Sequence, residues 1–186
     1  MNLPTKITVV RIVLIPIFIA AFFIEALPYN RIIATVIFVV ASMTDFLDGY
    51  LARKNNMVTN LGKFLDPIAD KMLVSCALLA ISLETTFLQP AVAIFSMVIL
   101  CRELMISGFR IVASSKNVVL AADKLGKMKT LLQMAALTLL LPYADLFALW
   151  DAFGEIVYYV GFSLLGLATI MTIVSAANYI VKNKEV

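Results

Sequence analysis

The chain has 186 residues, 62% of them hydrophobic, with a formal charge of +3 and no histidine; its mean hydropathy is +0.99. Soluble domains average roughly 45–50% apolar residues, so the composition points to a bilayer, and so small a charge gives no argument for a nucleic-acid partner. Without histidine a general base must be a carboxylate, a lysine, a tyrosine or water, and two cysteines with no CxxC or Cys/His spacing argue against a zinc centre.

A membrane-crossing helix needs about 20 mostly apolar residues. Six such stretches are read along the chain, at 7–25, 31–53, 62–84, 88–110, 128–149 and 155–181. The fold expected is an all-α integral membrane protein, one domain over residues 1–186, with six transmembrane helices. The first span follows the short polar lead MNLPTK and is long enough to remain in the membrane rather than be removed. The second and third spans are unusual. The uncharged run Ile32 to Thr44 reaches a full crossing only by including Asp45 and Asp48, and Met72 to Leu83 only by including Asp66 and Asp70. Those acids are therefore expected within helix ends near one membrane face. Between spans four and five, residues 111–127 mix Val, Ala and Leu with Ser, Lys and Asp. That mixture suits a helix lying along the interface, with a plain loop as the alternative.

Lysine and arginine cluster beside Lys6 and Arg11, beside Arg53, Lys54 and Lys63, from Arg110 to Lys129, and at Lys182 and Lys184; the other side carries Arg31 with Glu84, Asp145, Asp151 and Glu155. The positive-inside rule then puts both termini, and the aspartates, on the cytoplasmic side.

Treated as an antiparallel hairpin, spans two and three bring Asp45 level with Asp70 and Asp48 level with Asp66. At about 100° per residue, Asp45, Asp48, Gly49, Ala52 and Arg53 fall within an arc of roughly 140°, and Gly62, Lys63, Asp66 and Asp70 within roughly 100°. Two unit charges about 4 Å apart repel by about 4 kcal/mol at an effective dielectric of 20. Four converging carboxylates need counter-charge. Arg53, Lys63 and Lys71 offer some, and hard dications such as Mg²⁺, Mn²⁺ or Ca²⁺ offer more, two of which four carboxylates could hold. The bland alternative is four solvated acids beside lysines, against which the span lengths count for Asp45 and Asp70 and less so for Asp66. Gly49 and Gly62 suit either close helix contact or room for a ligand.

The pattern D-x2-D-G-x2-A-R-x8-G-x3-D-x3-D, from Asp45 to Asp70, resembles the signature of the CDP-alcohol phosphatidyltransferases at every fixed position. The resemblance implies transfer of a substituted phosphate from a CDP-linked donor to an alcohol, with release of CMP and two divalent cations, Mg²⁺ or Mn²⁺, on the donor diphosphate. It implies that Asp45, Asp48, Asp66 and Asp70 are metal ligands, that Asp70 is also the catalytic base, and that Gly49, Ala52, Arg53 and Gly62 cradle the CDP group. A homodimer in the cell membrane is expected on the same ground.

Further stretches, CRELMISGFR (Cys101 to Arg110) and LGKMKTLLQ (Leu125 to Gln133), look like phosphatidylglycerophosphate synthases. NLPTKITVVR resembles their start, with Thr5 where Asn is usual and Ile7 where Leu is usual. This narrows the expected reaction to CDP-diacylglycerol plus sn-glycerol 3-phosphate. A dianionic acceptor needs cations, and Arg102, Arg110, Lys127 and Lys129 are the candidates to bind its phosphate; for Lys116 and Lys124 a positive-inside role is the simpler reading. The rivals are a sister enzyme using serine, an inositol phosphate or phosphatidylglycerol, and a divalent-cation transporter, since intramembrane carboxylates often mark ion pathways. The apolar middles of spans one, five and six argue against the transporter.

Overall fold

The computed structural model describes residues 3–55, 60–84, 88–115 and 124–182, with side chains described at 8–44, 68–69, 71–84, 88–109, 113, 126–179 and 181. Among these residues the regular structure is all helical: α1 (Leu3–Phe23), α2 (Asn30–Asn55), α3 (Asn60–Ser82), α4 (Gln89–Ser115), α5 (Lys124–Leu140), α6 (Tyr143–Leu149) and α7 (Asp151–Lys182). Among the described residues two helical stretches are long and apolar enough to cross a membrane, Gln89–Phe109 and Asp151–Tyr179. A third is the bent pair Gly126–Leu140 and Tyr143–Leu149; the apolar helices Thr8–Phe23, Asn30–Thr44 and Lys71–Ser82 are shorter.

Two elements depart from the sequence reading. The span expected at 128–149 is not one rod: it bends by 43° between α5 and α6. Pro142 explains the break. It has no N–H to donate, its ring clashes with the preceding turn, and it disfavours helical geometry at Leu141. The chain restarts on the Pro142 carbonyl, which accepts from Leu146 N at 3.0 Å. Of the interfacial stretch expected at 111–127, residues up to Ser115 continue α4 and residues from Lys124 begin α5; the remainder lies outside the described residues.

The helices hide polar groups and expose apolar ones. Val13, Met97, Leu104, Ile156 and Ile170 are each more than half exposed, while Arg11, Lys129, Gln133 and Thr172 are almost wholly buried. Contiguous apolar surface on this scale is unfavourable in water and suited to lipid. Lipid outside removes much of the hydrophobic drive between helices, so close packing has to hold them together. α1 packs on both α2 and α3, and α7 packs on α4, α5 and α6. Phe18 meets Phe22 and Phe38 at ring-centroid distances of 6.1 Å, and the buried alanines Ala34, Ala41, Ala77, Ala136 and Ala168 let backbones approach.

Glycines set the closest approaches. A Cβ on Gly161 would lie 2.9 Å from Leu140 Cγ, and one on Gly126 would lie 3.9 Å from Ser175 Oγ. α5 and α7 are thus antiparallel, in a register that sets Lys129 against Thr172 and Gln133 against Ala168. At the α6–α7 turn a Cβ on Gly154 would meet the Phe147 backbone, 2.6 Å from Cα and 2.7 Å from N.

The end of the bundle opposite the α2 acids is tied by polar contacts. Arg31 stacks over the Phe22 ring at 3.9 Å, donates to the Phe22 carbonyl and pairs with Glu84 at 2.5 Å. Asn30 Nδ2 donates to the same carbonyl at 3.0 Å. Asp145 of α6 accepts from Ile32 N at 2.9 Å, satisfying one of the N–H groups that the start of α2 leaves unpaired. Burial pushes the Glu84 carboxyl above its ordinary value; the Arg31 guanidinium opposes this and Asp145 adds to it. Tyr29, at φ 55, supplies the left-handed residue that turns the chain into α2.

Gly154→Ala should therefore destabilise the protein by about 1–3 kcal/mol, because backbone rather than a flexible side chain must give way. Gly108→Ala, with nothing within 4 Å of its Cβ, should be neutral or stabilising by up to about 1 kcal/mol through helix propensity. Thermal unfolding of the two variants in one detergent compares them directly.

Candidate active site

α2 is continuous from Asn30 to Asn55 and carries Asp45, Asp48, Gly49, Ala52 and Arg53; α3, from Asn60 to Ser82, carries Gly62, Asp66 and Asp70. The four acids belong to helices rather than to a free loop, and α2 and α3 touch. The side chains of these residues, and that of Arg110, lie outside the described residues. Among the described residues there is no group of three or more Asp, Glu, His or Cys that could hold a metal. The four aspartates fit divalent cations by the chemistry of the donor set: anionic oxygens, two from each of two touching helices, and no soft ligand.

A groove of about 610 Å³ opens between α2 and α5, beside the turn that leads to Asp45. Phe38, Val39 and Met43 line it from α2, and Leu131, Met134 and Ala135 from α5. Its walls are predominantly apolar.

α4, α5 and α7 contribute a second polar group. Arg102 donates from Nη2 to Ser175 Oγ at 2.9 Å. Lys129, 2% exposed, forms an ion pair with Glu103, whose side chain is 24% exposed. The pair runs from α5 to α4, and α7 closes the side through Ser175, against which Gly126 packs. Of the four acceptor-phosphate candidates, Arg102 and Lys129 are thus brought to one region, since Lys129 pairs with Glu103, the residue next to Arg102 on α4. Lys127 is exposed.

Ser175 and the pairing role of Glu103 escaped the sequence reading. The signal for Ser175 was faint but present: Thr169, Thr172 and Ser175 recur every three residues along an otherwise apolar helix, which is the spacing of one helix face. Arg11 was read only as a positive-inside residue, yet it is fully buried on α1.

The ion pair makes a stability prediction. Removing one partner of a buried pair leaves the other uncompensated, a cost of about 3–5 kcal/mol, whereas replacing both with apolar groups is often neutral. Glu103→Ala leaves the almost wholly buried Lys129 ammonium uncompensated and should cost about 3–5 kcal/mol. Glu103→Leu combined with Lys129→Met should recover most of the loss in a thermal unfolding measurement.

The CDP-alcohol phosphatidyltransferase family model matches residues 1–174. A relative from Bacillus subtilis (strain 168), named CDP-diacylglycerol–glycerol-3-phosphate 3-phosphatidyltransferase, is 40% identical over 99% of this chain and 96% of its own length. A relative from Rickettsia bellii (strain RML369-C) with the same name is 39% identical over 96% of this chain and 93% of its own. A rice protein named cardiolipin synthase (CMP-forming) is 39% identical over 78% of this chain and 47% of its own. With nearly the whole chain matched, and the eight-position aspartate motif carried by α2 and α3, this protein belongs to the CDP-alcohol phosphatidyltransferase family.

Proposed function

We propose that this chain transfers the phosphatidyl group of CDP-diacylglycerol to sn-glycerol 3-phosphate, giving phosphatidylglycerophosphate and CMP. The observation that carries the reading is the end-to-end similarity to relatives named for that reaction. The rice relative favours a second reading, with phosphatidylglycerol as acceptor, but it aligns with only part of its own length. Arg102 and Lys129 also suit a phosphate dianion better than a neutral or lipid-borne hydroxyl.

In this reading Asp70 takes the proton from the acceptor hydroxyl as its oxygen attacks the phosphorus linked to diacylglycerol. A phosphorus–oxygen bond forms there, the bond to the CMP phosphate breaks, and CMP leaves. With no histidine in the chain, a carboxylate is a natural base. Asp45, Asp48, Asp66 and Asp70 would hold two Mg²⁺ or Mn²⁺ ions, which when bound neutralise and orient the donor diphosphate. Gly49, Ala52 and Gly62 leave room for the CDP group, and the Arg53 fork binds its phosphate oxygens. Arg102, Lys129, Arg110 and Lys127 hold the acceptor phosphate. One acyl chain of the donor lies in the apolar groove between α2 and α5, so the lipid reaches the aspartates without leaving the bilayer.

The same proposal includes the topology. Six crossings, counting α5 and α6 as one bent span, put both termini and the aspartates on the cytoplasmic side of the cell membrane, where the water-soluble acceptor arrives. The whole chain acts as a single membrane domain, and two copies pair as a homodimer.

Purified protein given both substrates and Mg²⁺ or Mn²⁺ should release CMP only when glycerol 3-phosphate is present. A chelator should stop turnover and added metal should restore it. Asp70→Asn should lower kcat by about 10²–10⁴-fold with little change in unfolding temperature. CMP release that ignores the acceptor, or an Asp70→Asn variant with normal turnover, would refute the assignment.

A further inference from the structure

Gln133 of α5 is 1% exposed, and neither its amide oxygen nor its amide nitrogen has a hydrogen-bond partner among the described residues. Thr172 of α7 and Ser96 of α4 are equally buried, and their hydroxyls likewise find no partner among the described residues. Buried polar groups are almost always satisfied, and an exception calls for a ligand or a water. An orphaned amide is costlier still inside a bundle with lipid outside it, where polar side chains tend to be functional.

These groups are close to the second polar site. Gln133 lies one helical turn beyond Lys129 on the same buried face of α5, a rise of about 6 Å. The α5–α7 register sets Thr172 against Lys129 itself. Contacts run from α3 to α4, from α4 to α7, from α7 to α5 and from α5 back to α3, so these helices surround the space between them. Lys129 reaches across that space to Glu103 on α4. Gln133 therefore lies directly past the cations, on the side away from the start of α5.

The chemistry divides the same way. A phosphate only accepts hydrogen bonds, and Arg102 and Lys129 only donate them. A hydroxyl both donates and accepts, and a carboxamide offers one group of each kind. We propose that Gln133, assisted by Thr172, binds the acceptor hydroxyl that is not the nucleophile, and so selects a polyol phosphate over an acceptor lacking that hydroxyl. This rests on the reaction proposed above.

The test compares two acceptors on the same protein: glycerol 3-phosphate and 3-hydroxypropyl phosphate, which keeps the phosphate and the terminal hydroxyl but lacks the middle one. Wild-type protein should favour glycerol 3-phosphate in kcat/KM by at least about tenfold, because the deoxy analogue leaves buried polar groups unpaired. Gln133→Leu should bring the ratio close to one, mainly by raising KM for glycerol 3-phosphate, and should leave KM for CDP-diacylglycerol unchanged. Thr172→Val should shift the ratio in the same direction by less. A ratio taken within one preparation is insensitive to the fraction folded, and exchanging an unpaired amide for leucine should not lower the unfolding temperature. A wild-type ratio near one, or a ratio unchanged in both variants, overturns the inference while leaving the reaction intact; the latter result would mean the amide holds only water. Absence of acceptor-dependent CMP release by the wild type would instead overturn the reaction itself.

Discussion

A charge that leaves water for a lipid-surrounded interior must meet an opposite charge or a set of dipoles within reach. Most polar features of this bundle follow from that constraint. Lys129 is buried and pairs with Glu103; Arg102 reaches the Ser175 hydroxyl; Arg31 has a carboxylate, a carbonyl and an aromatic face. In each case the partner comes from a different helix or from the turn at its end. The requirement to neutralise charge therefore also fixes which helices pack together and at what depth. Four aspartates on α2 and α3 present the same requirement with the sign reversed, and in the proposed reaction divalent cations would meet it.

Much of the architecture could be read from residue order, and the reasons differ by element. Apolar runs of about twenty residues mark helices wherever lipid is the solvent, because unpaired backbone is not tolerated there. The aspartates stood out because apolar runs too short to cross alone had to be completed with acids. Pro142 was the failure within the fifth span. Its neighbours LTLLL and DLFAL are apolar enough that hydropathy alone carries the helix through, although the missing N–H breaks it. The partners of Arg102 and Lys129 were beyond reach for another reason. They depend on the relative rotation and depth of α4, α5 and α7, which pattern within one helix does not encode. The α5–α7 register rests on Gly126 and Gly161, whose importance appears only when the opposing helix is in place.

The two ends of the molecule divide the work. At the Asn30 end, polar contacts join α2 to the end of α1, to the residues after α3 and to α6. Towards the other end, Arg102 and Lys129 cross between helices and Gly126 packs against Ser175. The apolar groove beside Met43 joins these arrangements to the bilayer. In the proposed reaction, a substrate with two hydrocarbon tails and a charged head would meet oil at the flank, anions further along α2 and cations on α4 and α5.

The break at Pro142 has a mechanical consequence. By turning α6 aside, it lets Asp145 accept from the Ile32 N–H in the first turn of α2, so a helix late in the chain is tied to one near its start at the Asn30 end. A proline that interrupts one rod thereby fastens two distant parts of the chain to each other at one end of the bundle.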